Sequence, residues 1–254
     1  MDYYFNKEEL ETLKKINLTD YLPPTIDRIN FYINSAENKK EAWKEIFNQL
    51  YNIMSSAKID VTNRLEERLN SGEIKDAKQA IKSIAGNTFS YAIMYIFLRN
   101  KEIGNIRPDI FITSKKSEII GFDIIATINV DGETQKPDVD LVIYTKKQNG
   151  EVNRCIILSL KTSLRERAGQ TYKWKLLMEI ATTDNAIKNK YNISYNAAEM
   201  PLVCFATVNF YSEIDNPQHR GMFKFFNKSF IAKEIKRDFI SPLSELVDFV
   251  NISL

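Results

Sequence analysis

Through the first hundred residues the apolar positions recur at helical spacing. Three stretches stand out: Ala42 to Met54, Asp60 to Leu69 and Asp76 to Arg99. Asn70-Ser71-Gly72 separates the last two, and Asn100 to Asn105 closes the third. Beyond that point the spacing shortens to that of strands. Asp109 to Ser114, Glu118 to Val130, Val139 to Thr145 and Arg154 to Ser159 are β-branched and aromatic runs bounded by turn residues. Between the last two, Gln148-Asn149-Gly150 predicts a tight hairpin whose central pair can take positive φ. Tyr172 to Lys188 returns to helical spacing, Leu202 to Tyr211 predicts a strand, and Phe223 to Ile231 is strand-like but ambiguous. Ser241-Pro242 predicts the start of a terminal helix, with Ser as cap and Pro in the first turn. The order implies an α/β fold: a mixed core over 106–254 with an N-terminal helical lobe, 1–105, in the same unit.

Composition narrows the class. The chain has 254 residues, 44% hydrophobic and 27% charged, which is enough for a full core. Eight Gly and seven Pro argue against a linker or a disordered array. The N-terminus lacks the basic region and apolar core of a signal peptide, and the longest apolar stretch, Tyr91 to Leu98, is too short to cross a bilayer. That stretch is expected in the core or at a dimer interface. Cys155 and Cys204 lie in apolar runs and read as core residues. The expectation is a cytoplasmic protein with no membrane partner. A net charge of +2 says little about nucleic acid. Locally the balance differs: Lys161, Arg165, Arg167, Lys173 and Lys175 stand against the single acid Glu166, a patch suited to phosphates.

The chemistry concentrates in Lys136-Pro137-Asp138-Val139-Asp140-Leu141, followed after the hairpin by Leu158-Ser159-Leu160-Lys161. Side chains alternate along a strand, so Asp138 and Asp140 share one face, as do Ser159 and Lys161. Antiparallel pairing would bring the acids beside the lysine at one edge of the sheet. Metal-assisted phosphodiester hydrolysis needs such a grouping: carboxylates to hold Mg²⁺ against a phosphate oxygen, and a lysine near the attacking water. Directly after the lysine strand come Arg165, Glu166 and Arg167. Arg can grip guanine O6 and N7 with two bonds, and Glu can accept from cytosine N4.

Pro-Asp, then Ser-x-Lys, then Arg-Glu-Arg, resembles the Type II restriction endonucleases of the PD-(D/E)xK class that read CCGG or split CC and GG pairs. The likeness rests on Lys136 to Arg167. It implies the restriction-endonuclease-like fold, a central mixed β-sheet flanked by helices, with Mg²⁺ as cofactor and double-stranded DNA as substrate. It makes Lys161 the catalytic lysine, Asp140 or Asp138 the metal aspartate, and Arg165, Glu166 and Arg167 the readers of CC:GG steps; Lys173, from the basic patch, is expected as a further DNA contact. Asp140 is favoured, because Asp140 to Tyr144 also fits the Asp-x-x-x-Tyr run of many such nucleases. Ser159 stands where other nucleases carry an acid, so the missing carboxylate should come from the following helix. The position thirteen beyond Lys161 is Trp174; the first acid on the helix is Glu179. Reading Ala168 to Thr171 as a longer lead-in loop, Glu179 joins Asp140 and Leu160 in the metal set. Ala85 to Ser90 resembles another helix of these enzymes, but with Ser90 where they carry a glutamate, so its expected role is structural.

Arg107-Pro108-Asp109 is a second Pro-Asp without a matching lysine, and His219, the sole histidine, reads as a solvated loop residue. The reading is a homodimer, because one active site per chain cuts one strand and a two-fold protein matches a palindromic site. The competing classes are a structure-specific repair or recombination nuclease and a non-catalytic DNA-binding module. Arg-Glu-Arg counts against the first, and retention of the aspartates with Lys161 counts against the second.

Overall fold

In a computed structural model the chain is described over residues 4–72, 77–164, 168–211 and 213–254. Four helices come first: α1 (Lys7–Leu18), α2 (Pro23–Ser35), α3 (Lys39–Asn70) and α4 (Ala77–Glu102). The first two helical stretches of the sequence, Ala42 to Met54 and Asp60 to Leu69, are one 32-residue helix, α3, capped by Asn38 accepting from the Glu41 amide and stopped at Gly72, whose φ is +79°.

Then follow β1 (Phe111–Thr113), α5 (Phe122–Ala126), β2 (Ile128–Val130), β3 (Glu133–Gln135), β4 (Leu141–Lys146) and β5 (Val152–Lys161). The chain continues with α6 (Ala168–Thr182), α7 (Ala186–Lys190), β6 (Ile193–Tyr195), β7 (Leu202–Thr207), α8 (Pro217–Phe223), β8 (Lys228–Ile231), β9 (Ser241–Pro242) and α9 (Glu245–Ser253).

The main sheet runs β1-β4-β5-β7-β8-β9. β1, β4 and β5 are antiparallel neighbours, whereas β5, β7, β8 and β9 pair in parallel, so the sheet is mixed. Alternation sorts its side chains into two cores. Leu141, Ile143, Ile156, Leu158, Leu160, Cys204 and Phe230 join α2, α3, α4 and α9 in one. Val142, Tyr144, Cys155, Ile157, Val203, Phe205 and Ile231 pack with α5, α6 and α8 in the other. Both cysteines are buried and free, and burial pushes each thiol up to about 12. The Tyr91-to-Leu98 stripe lies in the first core, with Ala92 to Leu98 buried. No helix among the described residues is long and apolar enough to cross a membrane.

Four local expectations are corrected. Glu118 to Val130 is not one strand: Gly121 at φ +83° turns the chain into α5, and only Ile128–Val130 pairs, in a small sheet β3-β2-β6. Only Gly150 of the hairpin takes positive φ, at +85°; the Asn149 side chain accepts the Glu151 amide, and the register shifts between Tyr144 and Lys146. Ser241-Pro242 is β9, not a helix start. It is the sheet's edge, where a residue without an N–H is tolerated, and α9 begins three residues later. Helix α6 begins at Ala168, so residues 168–171 are helical and not a lead-in loop.

A buried ion pair within the helical lobe, between α1 and α4, also bonds to the sheet. Lys101 of α4 donates to both oxygens of Glu9 at 3.1 and 2.9 Å, and both side chains are fully buried. Glu9 also accepts the Ile112 amide of β1 at 3.2 Å and the Asn6 amide at 3.0 Å, so the buried carboxylate is fully bonded.

Candidate active site

β5 is longer than β4, and the excess makes the site. The antiparallel register pairs Leu141 with Leu158. Carried on past the start of β4, it sets Asp140 opposite Ser159 and Asp138 opposite Lys161, on the face that α6 covers. There the ladder has lost its backbone partner, and a side chain takes over: Asp140 Oδ2 accepts the Leu160 amide at 2.7 Å. The same oxygen lies 3.0 Å from Lys161 Nζ and 3.4 Å from Ser159 Oγ. Asp138 Oδ2 lies 3.4 Å from Lys161 Nζ. Lys161 is buried to 9% exposure, Asp140 is 30% exposed and Asp138 58%. A single lysine therefore faces two carboxylates that open progressively toward solvent.

The aspartates precede β4 instead of lying in it, because Pro137 and the pairing end keep 136–140 out of the ladder. Tyr144, four residues on, is buried in the second core; burial, with Glu8 and Glu9 nearby, holds its phenol well above the usual range.

α6 closes the site from above. Thr171, Trp174, Lys175, Met178 and Ala181 are its buried stripe, at helical spacing. Thr171 Oγ1 lies 3.0 Å from Ser159 Oγ, a contact that the sequence reading missed because it placed Thr171 in a loop. Trp174, thirteen beyond Lys161, is buried in the core. Glu179 lies about two turns beyond Thr171, 48% exposed, and accepts from Lys175 Nζ at 2.8 Å. Eight residues separate it from Thr171, about 12 Å of helix. Among the described residues no group of three or more His, Cys, Asp or Glu is gathered as a metal site, so Glu179 is not brought to the aspartates.

Arg165, Glu166 and Arg167 lie outside the described residues. The basic patch is smaller at the surface than its sequence suggests. Lys161 and Lys175 are buried, and Lys173 is exposed. The decoy residues are occupied elsewhere: Arg107 and Asp109 pair with each other through two bonds of 3.0 Å. His219 is not a solvated loop residue. It lies half-buried on α8, and its Nδ1 lies 2.9 Å from the Glu213 carbonyl oxygen. Phe89, in the helix segment read as structural, is buried in the first core.

The donor set suits a hard cation. Two carboxylates and the carbonyl of Leu160 offer oxygen donors, and Mg²⁺ is commonly held by one or two carboxylates together with phosphate and water. Leu160 directs its amide at Asp140, and in an extended strand a residue's N–H and C=O point to the same side.

Comparison with known proteins decides the family. Residues 113–249 match the model of the BsaWI restriction endonuclease type 2 family, more than half of the chain. The chain belongs to that family. It is also 26% identical over 138 residues to the "Putative type II restriction enzyme MjaVIP" of Methanocaldococcus jannaschii. That match takes in 50% of this chain and 60% of the length of that relative. The family match spans β4, β5, α6 and β7, so the elements that build the site fall within it.

Proposed function

We propose that this protein is a cytoplasmic Type II site-specific deoxyribonuclease that cuts both strands of double-stranded DNA by Mg²⁺-dependent phosphodiester hydrolysis. It acts as a homodimer on a short palindromic site containing CC:GG steps. The observation that carries the reading is Lys161 buried against Asp140 and Asp138 where β5 outruns β4, within a restriction endonuclease family match.

In this reading Asp140, Asp138 and the Leu160 carbonyl would hold the cation. Glu179 joins that set only by giving up its bond to Lys175. Bound Mg²⁺ would polarise a phosphate oxygen and favour ionisation of water. The protein's own residues do the rest. Asp140 is fixed by the Leu160 amide, so its carboxylate needs no reorganisation when the phosphate arrives. Lys161 supplies positive charge where negative charge grows on the phosphate and holds the attacking water. Water loses a proton to solvent as it adds to phosphorus, the bond to the leaving sugar oxygen breaks, and that oxygen takes up a proton from solvent. Arg165, Glu166 and Arg167 read base edges, and Lys173 contacts phosphates.

Incubation with phage DNA and Mg²⁺, followed by gel electrophoresis, tests the proposal. Discrete bands are expected. A smear would indicate a structure-guided or nonspecific nuclease, and unchanged DNA would indicate a binding module; either result overturns it.

A further inference from the structure

From the Glu213 contacts we infer that Glu213 is a positioning residue for sequence discrimination: its carboxylate anchors the segment that joins the catalytic strand to the base-reading triplet. The inference rests on the reading of Arg165, Glu166 and Arg167 as base readers.

The chain leaves β5 at Lys161 and passes through Thr162, Ser163 and Leu164 before Arg165. These three residues belong to no helix or strand, and a connection between a catalytic strand and a recognition element needs fixing by other means. Contacts among the described residues fix it. The Thr162 carbonyl accepts the Phe210 amide at 3.3 Å. The Leu164 side chain is buried at 1% exposure in the second core. Glu213 accepts the Leu164 amide at 2.7 Å and the Ser163 hydroxyl at 3.3 Å through one oxygen, Oε2.

Glu213 is itself held. Its amide donates to Asn209 Oδ1 at 2.8 Å, and its carbonyl lies 2.9 Å from His219 Nδ1. Asn209 is 1% exposed and sits at φ +52°, a left-handed conformation that Asn tolerates better than most residues. Its amide bonds to Thr207 Oγ1 at 2.9 Å, and Thr207 pairs with Lys161 across the parallel β5/β7 ladder. A closed route thus runs from Lys161 through Thr207, Asn209 and Glu213 back to Leu164. The last residue before the triplet is referenced to the catalytic lysine by both the chain and this route. An ionised acceptor makes the bond to the Leu164 amide stronger than a neutral one would.

The test compares binding to cognate and scrambled duplexes in Ca²⁺, and single-turnover cleavage of cognate DNA in Mg²⁺, for Glu213→Ala, Glu213→Asp, Glu213→Gln and Arg165→Ala. Glu213→Asp withdraws the carboxylate by one methylene while keeping the charge, and serves where Glu213→Ala does not fold. Glu213→Ala and Glu213→Asp should each lower the cognate-to-scrambled affinity ratio by about tenfold or more, as small misplacements of a recognition element do. Scrambled binding should stay within about twofold, because phosphate contacts supply it. Glu213→Gln, whose amide oxygen still accepts, should recover most of the ratio. An unchanged ratio in Glu213→Asp, or an equal loss on both duplexes, overturns the inference. Arg165→Ala separates the two readings: if it leaves the ratio intact, base reading by the triplet fails. If it collapses the ratio while the Glu213 variants do not, only the positioning role fails.

Discussion

The Asp140 carboxylate accepts the Leu160 backbone amide at 2.7 Å with the same oxygen that lies 3.0 Å from Lys161 Nζ. One atom thus ends the β4/β5 ladder and organises the site. A side chain used as a ladder partner cannot drift, so the aspartate and the lysine keep their spacing without DNA.

Asp140→Ala and Lys161→Ala should each lower cleavage by roughly a thousandfold or more while leaving a folded protein. The loss of Asp140 leaves the Leu160 amide without its acceptor, at a cost of about 1–3 kcal/mol, which a denaturant titration would register. Asp138→Ala should hurt less, since Asp138 is more exposed and longer-bonded to Lys161. Cleavage rates for the three variants check the ranking, and full activity in Asp140→Ala with a dead Asp138→Ala would reverse it.

Glu179→Ala distinguishes a metal ligand from a partner of Lys175. Its carboxylate is engaged by Lys175 about two turns beyond the residue that touches Ser159, so the expected loss is modest, on the order of tenfold, as for residues that support a metal site from outside. A loss as deep as that of Asp140→Ala would place Glu179 on the cation and require the Lys175 bond to open when DNA binds. Mg²⁺ titration of the residual activity separates the two, since removal of a ligand raises the metal requirement.

What the sequence discloses follows from the physics of each element. β4 and β5 were legible because their β-branched residues alternate between two apolar faces, and so the pairing of Asp140 and Lys161 was legible with them. The short helix α5 was not, because five residues, four of them apolar, carry no period long enough to separate a helical turn from a strand; Gly121 was the available signal. Thr171 and Glu213 were invisible for another reason. Both act through polar contacts with residues 12 and 49 positions away, and such pairings leave no local pattern. Pro242 misled because the same missing N–H suits a first helical turn and an edge strand alike.

The buried pair of Lys101 and Glu9 should matter to stability and not to chemistry. Lys101→Met leaves a fully buried carboxylate, and Glu9→Leu leaves a buried ammonium and the Ile112 amide without its acceptor. Each should cost about 3–5 kcal/mol, and the double replacement markedly less than the sum, because a matched apolar pair removes both desolvated charges. Urea midpoints of the two single variants and the double variant provide the measurement; additive losses would show that the ions are not coupled.

Acid should loosen the anchorage of α9. Burial pushes the Glu245 carboxyl up, but hydrogen bonds from Lys236, Lys228 and Ser241 outweigh it and hold the group at about 2. A carboxylate depressed in the folded state stabilises above its unfolded value of 4.5, and this contribution is lost as pH falls from there toward about 2. With the side chain 29% exposed, the discounted contribution is about 1–2 kcal/mol. Glu245→Gln should therefore lower stability at pH 7 and flatten its dependence between pH 4.5 and 2. A variant that keeps the wild-type slope would assign the acid sensitivity to other groups.

Arg165 and Lys173 should separate base reading from phosphate binding. A two-bond contact to guanine discriminates by roughly 1–3 kcal/mol, so Arg165→Ala should weaken cognate binding by about one to two orders of magnitude and change scrambled binding far less. Lys173 is exposed on α6 and has no base-edge role in the proposal. Lys173→Ala should weaken both duplexes by the same factor and reduce the slope of log affinity against log salt by about 0.9. The measurement is a set of titrations on both duplexes over a range of salt concentrations. Glu166→Ala adds a second arm, since loss of a cytosine N4 acceptor should relax the site at C:G pairs alone. If Arg165→Ala behaves like Lys173→Ala, Arg165 is a phosphate clamp. If the mapped cleavage site holds no adjacent C:G pairs, the CC:GG assignment falls whatever the variants do.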